Sequence, residues 1–379
     1  MAANTLNITF VKSSLGALFS NTVKHKTGDL IYIAIVGLSL LAWGIGVYIL
    51  YRTIGGPDLA VTDRVSSFQA KMMPLLITFG SVFLLIRGLK FSRENPDESF
   101  LNHAIIELKS NPQKLIPILI SVLIGAISFI YLQVNFMSVK TAIPTIQPFY
   151  FDDMARRLDR LLFLGQDPWV YFSWLYNIPY AVKLIDISYT LWSTLIVGFW
   201  IYAFATSRIS RQRRFQYILS MMIMWFVAGN LLAILLSSAG PCYYFLFGSD
   251  PNYYAGLMSQ LSSTHAVVPI DAYTYQDILL SMYNNPETRF GGISAAPSLH
   301  VGTSLLLLAF FWKHPVARYL LILFNIIIYI GSIILAWHYA IDGLIVVPVA
   351  FLCWVIAGKI TRVIEGRWPS PSLNLDQSL

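Results

Sequence analysis

The sequence predicts an all-α polytopic membrane protein with about eight transmembrane helices, and three observations carry that reading. Of 379 residues, 56% are hydrophobic and only 12% charged, well outside the composition of soluble domains. Apolar runs long enough to cross ~30 Å of hydrocarbon, roughly 20 residues each, fall at about 30–51, 73–89, 115–134, 187–205, 217–237, 298–312, 317–336 and 340–360. The segments between them hold clustered Arg and runs of Trp and Tyr, the composition of membrane–water interfaces.

Taken in order, the first run starts near Leu30, behind a polar stretch with Lys12, Lys24 and Lys26 and no convincing small-residue cleavage site. It reads as a first span, not a removed signal peptide. Residues 1–140 form a three-span unit whose apolar runs carry no ionisable group that reads as chemistry, apart from polar ends such as Arg87. Functional intramembrane sites carry such groups, so packing or docking is expected of this unit. A second unit, 150–362, opens on the mixed-charge stretch Phe151 to Leu162, where Leu158, Leu161 and Leu162 have helical spacing. An amphipathic helix lying on the membrane surface fits it. Trp169, Tyr171, Phe172 and Trp174 follow as an interfacial belt. The segment 238–297 is too long for a turn and reads as a lid or binding loop. Its Tyr243, Tyr244, Tyr253, Tyr254, Tyr273, Tyr275 and Tyr283, with Asp250, Asp271 and Asp277, suit either a polar head-group site or a wet interfacial cap. Residues 363–379 read as a cytoplasmic tail.

Orientation follows from the loops. Arg208, Arg211, Arg213 and Arg214 crowd one short connection, while 238–297 holds only Arg289 as a Lys or Arg. Both termini are then expected in the cytoplasm. Loops 87–114 and 313–318 agree, whereas 135–184, with five Lys or Arg, fits poorly. The net charge of +7 suits contact with anionic lipid heads, and no nucleic-acid module is recognisable. Cys242 in an outer loop and Cys353 within the last span are not expected to meet, so neither a disulfide nor a thiolate metal site is predicted.

Chemistry concentrates near the C-terminal end. Gly291-Gly292 leads through Ala295-Ala296-Pro297-Ser298 into an apolar helix beginning Leu299-His300. Proline tolerates a first helical turn, and the free amides and positive dipole end there form a phosphate site to which Ser298 can add a hydroxyl. His338 and Asp342 are four residues apart, so on a helix they share a face. A carboxylate can hold the imidazole in one tautomer, and an imidazole so held is a competent nucleophile toward phosphorus. A second imidazole, His300, can protonate a departing alkoxide and deprotonate an acceptor. His-x3-Asp also ligates metals, but His265 is the only further candidate ligand.

Pro297-Ser298-Leu299-His300 and His338-Tyr339-Ala340-Ile341-Asp342 resemble the second and third signature blocks of the type-2 phosphatidic acid phosphatase superfamily. The resemblance covers roughly 150–360 and is closest to the inositol phosphorylceramide synthase-like branch, to which Leu158 through Trp169 and Ser237-Ser238-Ala239-Gly240-Pro241 also point. It implies a helical bundle with His338 as nucleophile, Asp342 as its partner and His300 as acid and base, at the extracytoplasmic membrane surface. Two positions depart from the phosphatases. Pro241 follows Gly240, without a basic residue, and the place six before His338, usually Arg, is Ser332. Ser298, Gly240, Pro241, Tyr243 and Arg289 are the candidates for binding phosphate.

The expected function is a membrane phosphotransferase of phospholipid or sphingolipid metabolism that moves a phosphoryl or phospho-head-group unit from a lipid donor to a hydroxyl acceptor, a lipid such as ceramide, diacylglycerol or a polyprenol, or a polyol, through a phosphohistidine. The scheme requires no metal or organic cofactor. Alternatives are a lipid phosphate phosphatase acting at the same site and a non-catalytic transporter or scramblase, for which the spans show few path-lining polar residues.

Overall fold

The computed structural model describes residues 2–54, 88–89, 91–96, 99–102, 106, 112–285 and 291–369, with backbone alone for 2–27 and 112–115. The predicted span at 73–89 apart from its last two residues, Arg87, Arg289, part of loop 87–114 and most of the tail lie outside the described residues. So do the side chains of Lys12, Lys24 and Lys26.

Every regular element among the described residues is helical. Six helices are long and apolar enough to cross a membrane, as an integral membrane protein requires. They are α1 (Ala2–Thr53, apolar from Gly28), α2 (Pro112–Ile146), α4 (Pro179–Ala205), α5 (Arg211–Leu235), α9 (Pro315–Ile334) and α10 (Ala340–Arg367). Between them lie α3 (Asp152–Leu162), a 3-10 segment (Pro168–Asn177), and, in the outer stretch, a single turn (Tyr244–Phe247), α6 (Ala255–Val267) and α7 (Asp271–Asn284). Helix α8 (Leu299–Phe311) is the short sixth apolar run. Seven predicted spans thus have a helix.

Helix α8 is the axis of the bundle, packing against α4, α5, α9 and α10, while α5 and α10 form the broadest pairing. Helices in lipid gain no hydrophobic drive from meeting one another, so close approach depends on small residues. Gly302, Thr303 and Ser304 supply them on α8, and a Cβ at Gly302 would lie 2.7 Å from Val346. Ser304 and Asn325 add a buried hydrogen bond of 2.9 Å between α8 and α9. With 13 residues, α8 rises roughly 20 Å, short of the ~30 Å hydrocarbon thickness. The segment 291–298 that leads into α8 is buried apart from half-buried Ser294, so the start of α8 lies inside the protein.

At the far end of α5, Arg211 meets Glu365 of α10 at 2.8 Å, and Tyr32 of α1 stacks on Phe215 with ring centroids 4.2 Å apart. Helix α2 bridges α1 to α4. The first helices are therefore packed onto the bundle that holds the histidines.

Helix α3 is amphipathic, with an unexpected division of labour. Met154, Leu161 and Leu162 point outward, while Asp152, Ala155 and Asp159 are buried. The apolar side suits an interfacial helix, but the acidic side faces protein, not water.

Candidate functional site

His300 is the second residue of α8. Ser298 caps that helix from extended backbone, and its own N–H donates to the Asp342 carbonyl at 3.1 Å. This fastens the start of α8 to the start of α10. The amide of Ser298 is thus committed, while its buried Oγ has no hydrogen-bond partner among the described residues.

His338 lies in a tight turn between α9 and α10. Ala336 takes left-handed backbone (φ 60°) to end α9, and the N–H groups of Trp337 and His338 both donate to the Ser332 carbonyl, at 3.1 and 3.0 Å. Ser332 occupies the place where the phosphatases carry Arg, and here it builds the turn. Tyr339 caps α10, with its N–H donating to Asp342 Oδ2 at 3.0 Å. His338 therefore precedes the helix that holds Asp342, and the shared helical face expected for the pair is absent. The two side chains still meet, with Nδ1 at 3.6 Å from Asp342 Oδ2. The shorter contact of Nδ1 is the Ala295 carbonyl at 2.7 Å.

A carbonyl only accepts, so Nδ1 carries the proton and Nε2 keeps its lone pair. The tautomer expected to be set by Asp342 is set mainly by Ala295. Nε2 faces Nδ1 of His300 at 3.4 Å. His300 in turn lies between Tyr189 and Trp192, with ring centroids at 4.3 and 4.2 Å. Trp192 is itself anchored by donating to Thr303 Oγ1 at 2.9 Å. The two aromatic rings fix the plane of the imidazole.

Both histidines line a cavity of about 400 Å³ walled by Phe136, Trp192 and Trp225 and reached by Lys140 of α2. Of the other predicted residues, Tyr243 borders this cavity and donates its hydroxyl to the Gln276 carbonyl at 2.9 Å. Pro241 instead lines a neighbouring cavity of about 280 Å³. Gly240 takes φ +95°, and a Cβ there would lie 2.7 Å from the Trp337 carbonyl. It lets two segments of the site touch, and its N–H is already used. His265 accepts from the Ile270 N–H at 3.0 Å, a local cap. Cys242 and Cys353 are both buried and free.

Two residues that sequence reasoning left on a surface helix hold the site together. Asp152 Oδ1 accepts from Ser238 Oγ (2.8 Å), Gly240 N (2.9 Å) and Tyr339 OH (3.0 Å), and Oδ2 accepts from Ala239 N (2.9 Å). Asp159 accepts the first free amides of α10, from Ala340 at 2.8 Å and Ile341 at 2.7 Å. Burial raises both carboxyls above the ordinary carboxylate range, to about 7 for Asp159, against the pull of these hydrogen bonds. The available signal was two acids seven residues apart with Ala155 between them, a single helical face opposite the leucines.

Three of the five basic residues in 135–184 are held in internal contacts. Lys183 pairs with Asp186 and Asp271, both at 3.1 Å, Arg156 lies over the Tyr253 ring and Arg160 donates to the Tyr253 hydroxyl at 3.0 Å. Charges held in internal contacts say little about the side of the membrane on which a loop lies.

The chain is thus an apolar helical membrane bundle with a paired-histidine site at the head of a short central helix. Residues 155–356, more than half of the chain, match the family model of the PAP2 superfamily. The chain belongs to that superfamily, and membership suggests lipid phosphatase or phosphotransferase activity. No curated protein and no solved structure matches the chain.

Proposed function

We propose that the protein is a membrane phosphotransferase that passes a phosphoryl or phospho-head-group unit from a phospholipid or lipid-linked donor to a hydroxyl acceptor. Nε2 of His338 attacks phosphorus, and His300 protonates the departing oxygen. The resulting phosphohistidine is discharged by the acceptor hydroxyl, whose proton returns to His300. Each proton lost in one half-reaction is regained in the other, so no further reactant is needed.

The observation that carries this reading is the pairing of the two rings. Nδ1 of His338 is committed to a carbonyl, and its nucleophilic nitrogen faces His300 at 3.4 Å within one cavity. Two features favour transfer over hydrolysis. Gly240 and Ser332 stand where the phosphatases place basic residues, and aromatic rings, among them Phe136, Trp192 and Trp225, line the cavity. Both fit the inositol phosphorylceramide synthase-like branch, with the termini in the cytoplasm and the site on the opposite face.

Purified protein in detergent, given labelled phospholipids with and without ceramide, diacylglycerol or polyprenol, tests the proposal when products are resolved by mass. A new phospholipid that requires both an acceptor and His338 is expected. Release of phosphate or phospho-head group without acceptor makes the enzyme a hydrolase, and a lipid-moving activity unaltered in His338→Ala overturns the catalytic reading.

A further inference from the structure

The family match begins at residue 155, yet a cation stands in the histidine cavity from an earlier helix. Lys140 lies near the end of α2 and lines the cavity with His300 and His338. Its ammonium has an aromatic ring, Phe136, at 5.9 Å, and among the described residues it makes no ion pair. The carboxylate that shares the cavity, Asp186, is taken by Lys183 and by the Asp271 and Ala272 amides. An uncompensated charge within a membrane bundle is costly, and such residues mark functional sites.

The backbone of Lys140 is tied to the catalytic loop. A Cβ at Gly292 would lie 2.3 Å from the Lys140 carbonyl oxygen, so the segment that delivers Ser298 and His300 rests directly on this turn of α2. The buried Ser298 hydroxyl, without a partner, sits in the same segment.

We propose that Lys140 is the phosphate-binding cation of this site, and that the donor it selects is a phosphodiester. The proposal rests on the phosphotransferase reading and adds a residue and a substrate class to it. Among the described residues lining the cavity, Lys140 is the one lysine or arginine, and a single basic group matches the single negative charge of a diester better than the double charge of a monoester. A lysine binds phosphate as a point charge that can follow the oxygens as phosphorus inverts. Helix α2 thereby belongs to the active site as well as to the packing of the first helices.

The test uses the full chain in detergent as wild type, Lys140→Met, Lys140→Arg and His338→Ala, with two readouts. Steady-state kinetics with a labelled phosphatidyl donor should show KM raised roughly 10- to 100-fold in Lys140→Met, the worth of a charge-assisted hydrogen bond, with most of the loss restored in Lys140→Arg. Thermal unfolding with and without inorganic phosphate should show stabilisation of wild type and Lys140→Arg and none of Lys140→Met. Without phosphate, Lys140→Met should unfold at or above the wild-type temperature, because a buried charge has been replaced by an apolar chain, which separates lost binding from lost folding. Equal stabilisation of wild type and Lys140→Met, or no stabilisation of wild type, overturns the proposal, as does a preference for phosphomonoesters over diesters. If phosphate protection depends on Lys140 but no product depends on His338, the binding assignment stands and the transferase reading fails.

Discussion

Asp152 offers a demanding test of how the site is held, because one carboxylate joins two of the segments around His338. Asp152→Asn keeps the shape of the side chain and removes its charge. With the amide oxygen in the Oδ1 position, the bonds from Ser238, Gly240 and Tyr339 persist, but the amide nitrogen then faces the Ala239 N–H, which now donates to Oδ2 at 2.9 Å. One buried donor without a partner costs about 1–3 kcal/mol, and three bonds that lose their charge assistance weaken by roughly 1 kcal/mol each. Relief from burying an ion at a 1%-exposed position returns part of that, leaving a net loss of about 2–4 kcal/mol. Asp152→Ala leaves all four donors unpaired and should reach the upper end of single-site effects, about 4–5 kcal/mol. The assay is thermal unfolding in detergent combined with His338-dependent turnover. Because Tyr339 adjoins His338, kcat should fall more than donor KM rises. Wild-type unfolding and turnover in Asp152→Ala would refute the reasoning.

Three further predictions concern neighbouring residues. Gly240→Ala combines left-handed backbone with a Cβ 2.7 Å from the Trp337 carbonyl, so it should displace the His338 turn and lower turnover at least tenfold while the protein still inserts, as checked by activity and size-exclusion profile. Trp192→Leu removes one of the two rings on His300 and should reduce kcat roughly 2- to 10-fold, the worth of an aromatic contact, with little change in KM. Burial raises the Asp159 carboxyl from its ordinary 3.8 to about 7, so the native state binds that proton more tightly than the unfolded chain does. Its contribution to stability is then full below the unfolded value and is lost as pH rises through about 7. Unfolding temperature measured across this window should fall with pH more steeply in wild type than in Asp159→Asn, and parallel curves would count against the assignment.

Legibility in the sequence followed the strength of the local signal. Long apolar runs need only length and composition, and the predicted run at 340–360 lies inside α10, which starts at Ala340. The short run at 298–312 was also visible, since Pro297 and Ser298 mark its start. The histidines are readable by spacing, but spacing offers only a local reason for the His338–Asp342 pair, one helical face, whereas the structure uses a nonlocal contact, Ala295 on His338. No pattern within a window of a few residues reveals that. Lys140 is not legible as an intramembrane charge, because hydropathy ends the third apolar run near 134 whereas α2 continues to Ile146. Asp152 and Asp159 were misplaced for a related reason. A helix with alternating acids and arginines reads as solvated unless its acidic face is known to cap another helix.

Formation of a phosphohistidine on His338 is the central claim, and it can be measured directly. Purified protein is mixed with a donor labelled in its phosphate, without acceptor, quenched at alkaline pH, and the label is located by peptide mass. The mechanism predicts label on the peptide carrying His338, absent from His338→Ala and discharged on adding a hydroxyl acceptor. Turnover that proceeds with no labelled histidine, or with label on another residue, would contradict it.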